Sequence, residues 1–290
     1  MKLSVLILAL FLSLFTLTAT ASTDFWFSAK VSGSGQAVIL IPGLGCSGDV
    51  WTETVSNFPA GYQTHVLTLS GFAGEPAKEG SFLDSVKASL LSYIKINKLN
   101  KPILIGHSLG GLLSLMTAAG HSGLFSGILV VDSYPYFSAL MNPMVTKEQA
   151  ETQAKSVSTM ILSQDDETFL KSQRATMGYL VSSKENSERV AMWSSSSDRK
   201  TFAGAMSAVM TTDFRDGVKS ISVPVTVLIS WAGAKSYGFT EEMAIKNAST
   251  QYQNLTGVKI KPAKSALHFI MLDEPDWFMA ELGSFLKEIK

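Results

Sequence analysis

The sequence predicts an α/β protein: a doubly wound, mostly parallel sheet with a helical cap inserted into it. Three observations carry that reading. Short strand-like runs alternate with helix patterns along most of the chain, as a parallel sheet with crossover helices requires. The runs are apolar throughout rather than alternating, as expected of strands covered on both faces. One interval, Ser133–Ser222, breaks the rhythm with helix patterns alone. At 290 residues and 46% hydrophobic content, the chain can bury one large core of this kind.

Taken in order, Met1–Ala21 reads as an export signal: Lys2, an apolar run over Leu3–Leu17, then the small-x-small site Ala19-Thr20-Ala21. The run of about 15 residues is short of the ~18–20 that span a bilayer, so no stable membrane anchor is expected. The expectation is an exported protein, periplasmic or secreted, starting near Ser22. Strand-like runs follow at Ala37–Ile41, His65–Leu69, Pro102–Ile105, Ile128–Val131 and Val223–Ile229, with a weaker one at Gly257–Ile260. Phe82, Val86, Leu90 and Tyr93 form one stripe of a helix over Phe82–Ile96. Leu109–Ala119 is apolar at most positions and reads as a buried helix. Asp276–Ile289 closes the chain, with Pro275 at its start, where a missing N–H costs nothing.

The interrupting interval holds a capping box, Thr146-x-x-Gln149, and helix patterns at Asp166–Met177 and Arg199–Met210, with Trp193–Ser197 read as a flexible link. Seven of the twelve methionines fall there. Methionine conforms to varied ligand shapes, but it also simply packs a cap onto a sheet, and most of these are assigned the packing role. The division predicted is a core of residues 22–132 and 223–290 with a cap over 133–222.

Composition narrows the function. Twenty-four basic and twenty-four acidic residues give zero net charge, which argues against a nucleic-acid partner. A single cysteine, Cys46, forbids an intramolecular disulfide or a cysteine zinc cluster, and the four histidines show no metal-ligand spacing. No metal and no cofactor are expected. Asn247-Ala-Ser249 and Asn254-Leu-Thr256 are sequons, relevant only in a eukaryotic host.

The strongest local signal is Pro102-Ile-Leu-Ile-Gly106-His107-Ser108-Leu109-Gly110-Gly111: a strand, G-x-S-x-G, then an apolar helix. A sharp strand-to-helix turn holds the serine exposed above the sheet. Gly106 and Gly110 are needed because strand and helix nearly touch, and the Leu109 N–H points from the helix start toward a developing oxyanion.

With Ile41-Pro42-Gly43-Leu44-Gly45-Cys46-Ser47 and Leu267-His268-Phe269, these residues make the chain resemble the α/β-hydrolase superfamily, specifically its serine esterase-like members with a helical cap. The resemblance covers essentially all of Ser22–Lys290. It implies a second oxyanion N–H from Leu44, where Pro42-Gly43 replaces the usual His-Gly pair. Gly45 and Gly48 would leave room for substrate, and Gly43, Gly45, Phe72 and Tyr134 are the candidate substrate-binding residues. Cys46, lacking the strand–turn–helix setting, is read as a small buried apolar residue. The resemblance places the base at His268, between the last strand and the last helix. His107, inside the turn, is expected to point away from Ser108. The loop after Ile229 has no Asp or Glu, a departure from the family's commonest acid position. Asp132, at the end of the strand after the nucleophile's, is where other members carry it; Glu241 and Glu242 are the alternatives, and Asp273 is assigned to the entry of the last helix.

These roles imply a serine hydrolase cleaving a carboxylic ester of a small, mostly apolar substrate through an acyl-enzyme. Phe72, Tyr134, Tyr136 and Phe137 near strand ends favour an apolar acyl or alcohol group. Acyl transfer, thioester or amide cleavage would use the same residues. A non-catalytic binding protein on the same scaffold is the reading that the vacant acid position motivates.

Overall fold

Seven strands, β1 (Phe27–Gly33), β2 (Gln36–Ile41), β3 (Tyr62–Leu69), β4 (Ile103–His107), β5 (Gly127–Val131), β6 (Val225–Ile229) and β7 (Lys259–Pro262), form one sheet in the computed structural model, which describes residues 24–289. The segment read as an export signal lies outside the described residues. The strand order is β1-β3-β2-β4-β5-β6-β7, and every pairing is parallel except that of β1 with β3. The central strands are buried along their whole length, which is why they read as unbroken apolar runs.

Successive residues of each strand point to opposite faces and feed two cores. Ile39, Ile41, Leu104, Val130 and Val227 enter one. Val38, Leu40, Ile105, Leu129 and Leu228 enter the other. Helices α1 (Thr52–Ser56), α2 (Phe82–Ile96) and α3 (Leu109–Ala118) alternate with β2 to β5, and every residue of α3 is buried. Between β5 and β6 run α4 (Ser138–Met141), α5 (Lys147–Ser163), α6 (Asp166–Leu180), α7 (Lys184–Ser195) and α8 (Arg199–Thr211). The chain ends through α9 (Glu241–Gln251), α10 (Ile270–Asp273) and α11 (Pro275–Glu288).

Three departures from the sequence reading have physical causes. Strand β1 was not anticipated: it is an antiparallel edge strand, mostly solvent-exposed, with too few apolar residues to register. The last strand is Lys259–Pro262 rather than Gly257–Ile260, and half of it faces water, so the apolar signal there was weak. Trp193–Ser197 is no flexible link. Helix α7 continues through Ser195, and Ser197 accepts a hydrogen bond from Ala73 N at 3.1 Å. Among the cap methionines, Met177 and Met210 are buried, whereas Met144, Met160 and Met192 are exposed.

The capping box is formed in full, Thr146 and Gln149 bonding each other's backbone N–H, and starts α5. Both sequon asparagines are engaged: Asn247 Nδ2 donates to Leu140 O, and Asn254 Nδ2 to Arg215 O. No described helix is long and apolar enough to cross a membrane.

Candidate active site

Parallel register brings the site together. Ile41 pairs with Gly106, His107 with Val131, Val131 with Leu228 and Ile229 with Pro262, so the carboxyl ends of five strands form one edge. The first residues beyond those ends are Pro42, Ser108, Asp132, Ser230 and Ala263. Three of them extend the ladder: Ser108 N donates to Val131 O at 2.9 Å, Asp132 N to Leu228 O at 2.8 Å, and Ala263 N to Ile229 O at 2.8 Å.

Ser108 has φ 52° and ψ −119°, a conformation costing a non-glycine residue on the order of 1–3 kcal/mol. The turn is tight because its glycines have no side chain. A Cβ on Gly106 would lie 2.2 Å from Gly110 O, and one on Gly110 would lie 2.2 Å from Ile41 O. Leu109 opens α3, so its N–H is one of the helix's unpaired first donors. Gly43 packs directly on the turn: a Cβ there would be 3.3 Å from Ser108 Cβ and 2.9 Å from His107 Nδ1. Leu44 follows it and packs against both the sheet core and the cap cluster of Ile161, Phe169, Phe202 and Ala203. Gly45 has φ +69°, and a Cβ there would meet Phe202 at 2.6 Å.

His268 Nδ1 lies 2.7 Å from Asp132 Oδ2; its side chain is 24% exposed and that of Asp132 8%. Of the three carboxylates weighed for this role, Asp132 is therefore the one that meets His268. Glu241 and Glu242 sit exposed in the first turn of α9, where carboxylates favour the helix start. Asp273 instead accepts from Leu267 N at 2.9 Å.

Four residues escaped the sequence reading as parts of this site. His107 packs on His268: its Nε2–H donates to the His268 carbonyl at 3.1 Å, and the two rings lie 4.6 Å apart. Burial first, then the neighbouring His268, holds His107 well below the ordinary imidazole range, although the carbonyl bond opposes this. Ser230 donates to both oxygens of Asp132. Asp273 and Glu274 hold the loop before His268. Glu274 accepts from Ser265 N and from Ala266 N, the latter at 2.9 Å. Asp273 Oδ1 also accepts from Ser182 N at 3.0 Å and Ser182 Oγ at 2.7 Å, which ties the α6–α7 turn to the same loop. Only Ser230 carried a usable signal, as the first residue after a strand.

Phe72 is fully buried, 5.0 Å from Phe82 and 6.4 Å from Phe202 between ring centroids, and so has no open face. Tyr134 is half-buried; burial and then the Asp132 charge push its phenol up. Tyr136 is buried and Phe137 exposed. Cys46 is buried, and desolvation raises its thiol to about 12, far from a reactive thiolate. Among the described residues, no cluster of three or more His, Cys, Asp or Glu could hold a metal ion.

Residues 38–281 match the model of the alpha/beta hydrolase family. A pimeloyl-[acyl-carrier protein] methyl ester esterase of Vibrio atlanticus (strain LGP32) is 31% identical over 125 residues. That match spans 43% of this chain and less than half, 46%, of the relative. An enzyme of the same name from Aliivibrio fischeri (strain MJ11) is 26% identical over 89% of this chain and 96% of its own length. Among solved structures, a thermophilic esterase from Thermogutta terrifontis superposes with a TM-score of 0.74 at 15% identity, covering 91% of this chain and 93% of that one. At that identity the likeness is one of fold.

Proposed function

The chain belongs to the alpha/beta hydrolase family, and from that premise we propose that it is a serine hydrolase that cleaves carboxylic esters through an acyl-enzyme. The observation that carries the reading is the 2.7 Å contact of His268 Nδ1 with Asp132 Oδ2, on the same strand edge as Ser108 in its strained turn.

In this mechanism Ser108 Oγ attacks the ester carbonyl as His268 Nε2 takes its proton. Asp132 accepts from Nδ1–H, which leaves Nε2 as the basic nitrogen and stabilises the imidazolium. The Leu44 and Leu109 N–H groups receive the oxyanion, each worth about 3 kcal/mol. Collapse breaks the C–O bond, His268 returns the proton to the leaving alkoxide, and the alcohol departs. Water then attacks the acyl-serine by the same steps, releasing the acid and restoring Ser108.

The substrate is a mostly apolar acyl ester of a small alcohol, a methyl ester being the simplest case. Two facts support this: the apolar cluster of Ile161, Phe169 and Phe202 that adjoins Leu44, and the methyl ester in the names of the relatives. Helices α4 to α8 serve as the cap, whose cluster of Ile161, Phe169 and Phe202 adjoins Leu44. The export reading rests on Lys2, the apolar run after it and Ala19-Thr20-Ala21. N-terminal sequencing of the exported protein tests it, with Ser22 as the expected first residue.

A fluorophosphonate probe tests the activity. It should label the wild type at Ser108, leave Ser108→Ala unlabelled, and be accompanied by methanol release from acyl methyl esters. Folded wild-type protein that resists the probe overturns the proposal.

A further inference from the structure

We propose that Ser230 is a positioning residue of this site, which clamps both oxygens of Asp132 and so aims one of them at His268. The inference rests on the reading of Ser108, His268 and Asp132 as a hydrolytic triad. It adds a residue that no part of that reading requires.

The arrangement follows from the sheet. Strands β5 and β6 are parallel neighbours, with Val131 opposite Leu228, so the residues just beyond their ends are adjacent. Asp132 turns there with φ 45°, in the left-handed region. Ser230 N donates to Oδ1 at 2.7 Å, and Ser230 Oγ lies 2.8 Å from Oδ2. An ionised carboxylate only accepts, so the hydroxyl is the donor. His268 Nδ1 approaches the same Oδ2 at 2.7 Å.

The terminal torsion of an aspartate is broad and is not fixed by local sterics. The two Ser230 donors, one on each oxygen, fix the plane independently of His268, so that Oδ2 is already aimed when Nδ1–H meets it; without the hydroxyl, His268 itself is the only donor left to hold Oδ2. Asp132 is 8% exposed, so water is poorly placed to replace a lost donor. The backbone N–H of Ser230 survives any substitution except proline. The hydroxyl is the separable half of the clamp.

That separation defines the experiment. Ser230→Ala removes only the hydroxyl, and Ser230→Thr retains one. Steady-state kinetics on an acyl methyl ester should show Ser230→Ala with kcat reduced about ten-fold or more and KM within about two-fold, with Ser230→Thr recovering most of the loss. A readout independent of turnover is the low-field proton resonance of His268 Nδ1–H in histidine-labelled protein. It should be sharp in the wild type and shifted or exchange-broadened in Ser230→Ala. Thermal melts establish that each variant is folded. Should Ser230→Thr not fold, the resonance in Ser230→Ala decides.

Wild-type kcat with an unmoved resonance in Ser230→Ala overturns the proposal, as does a rise in KM alone, which would make Ser230 a substrate contact. Absence of the resonance from the wild type overturns it too. Wild-type protein that shows the resonance but neither turns over ester nor labels at Ser108 refutes the hydrolase reading instead.

Discussion

His107 lies ring to ring with His268, centroids 4.6 Å apart, and donates its Nε2–H to the His268 backbone carbonyl at 3.1 Å. The residue beside Ser108 thus meets His268 through both ring and backbone, across 161 positions of sequence. With Nε2 as donor, Nδ1 is the neutral ring's acceptor; it is buried without a partner and faces Gly43.

His107 should make stability pH-dependent near neutrality. Burial and the nearby His268 hold its folded pKa well below the ordinary imidazole value of 6.5, so the folded state stays neutral while the unfolded chain takes up a proton. Stability is then full above about pH 6.5 and falls as the pH drops below it. Thermal melts at pH 7.5, 6.5 and 5.5 should show this slope in the wild type and a shallower one in His107→Gln. His65, also held low by burial, keeps part of the slope in the variant. Parallel slopes would contradict this account.

Asp132→Asn should lower kcat by about 10³- to 10⁴-fold, because an amide no longer enforces the required tautomer of His268. A double Glu241→Gln, Glu242→Gln variant should stay within about two-fold of wild type, since both side chains are exposed on α9. The comparison is read by ester hydrolysis. Equal activity of Asp132→Asn and wild type would remove Asp132 from the mechanism.

Gly43→Ala should reduce kcat by about ten- to a hundred-fold in a folded protein. Its Cβ would stand 2.9 Å from the immobile His107 Nδ1 and 3.3 Å from Ser108 Cβ, so the loop bearing the Leu44 N–H has to move. Crystallography of the variant with a phosphonate adduct would show that displacement.

Glu274 should contribute acid-sensitive stability. Burial alone would raise its carboxyl, but hydrogen bonds from Ser265, Lys264 and Ala266 together outweigh it and hold the group below the ordinary glutamate value of 4.5. That contribution is present above about pH 4.5 and lost as the pH falls through the lower, folded value. In Glu274→Gln the decline of melting temperature below pH 4.5 should be shallower. The variant should also lose activity at neutral pH, because the loop carrying His268 is less well held.

Cys46 should be chemically silent. Its thiol is buried and raised to about 12, so iodoacetamide at pH 8 should leave native protein unmodified and fully active, and modify it only after unfolding. Rapid native labelling with loss of activity would contradict the assignment.

The strand–turn–helix around Ser108 was legible because its cause is local. A Cβ on Gly106 would lie 2.2 Å from Gly110 O, four residues on, and an apolar run on either side announces strand and helix. The buried strands announced themselves for the same reason. The exposed edge strand β1 did not, because its stability comes from pairing with β3 and not from its own composition.

The sequence by itself determined the order of the buried strands, the strand–turn–helix around Ser108 and a short set of candidates for base and acid. Tertiary structure alone brought one of the carboxylates, Asp132, against His268, since the adjacency of β5 and β6 and the loop back to His268 are properties of register. It also supplied Ser230, His107, Asp273 and Glu274, whose partners lie across the fold. A hydrogen bond depends on a few tenths of an ångström and on direction, and residues distant in sequence acquire that relation only once the sheet is assembled.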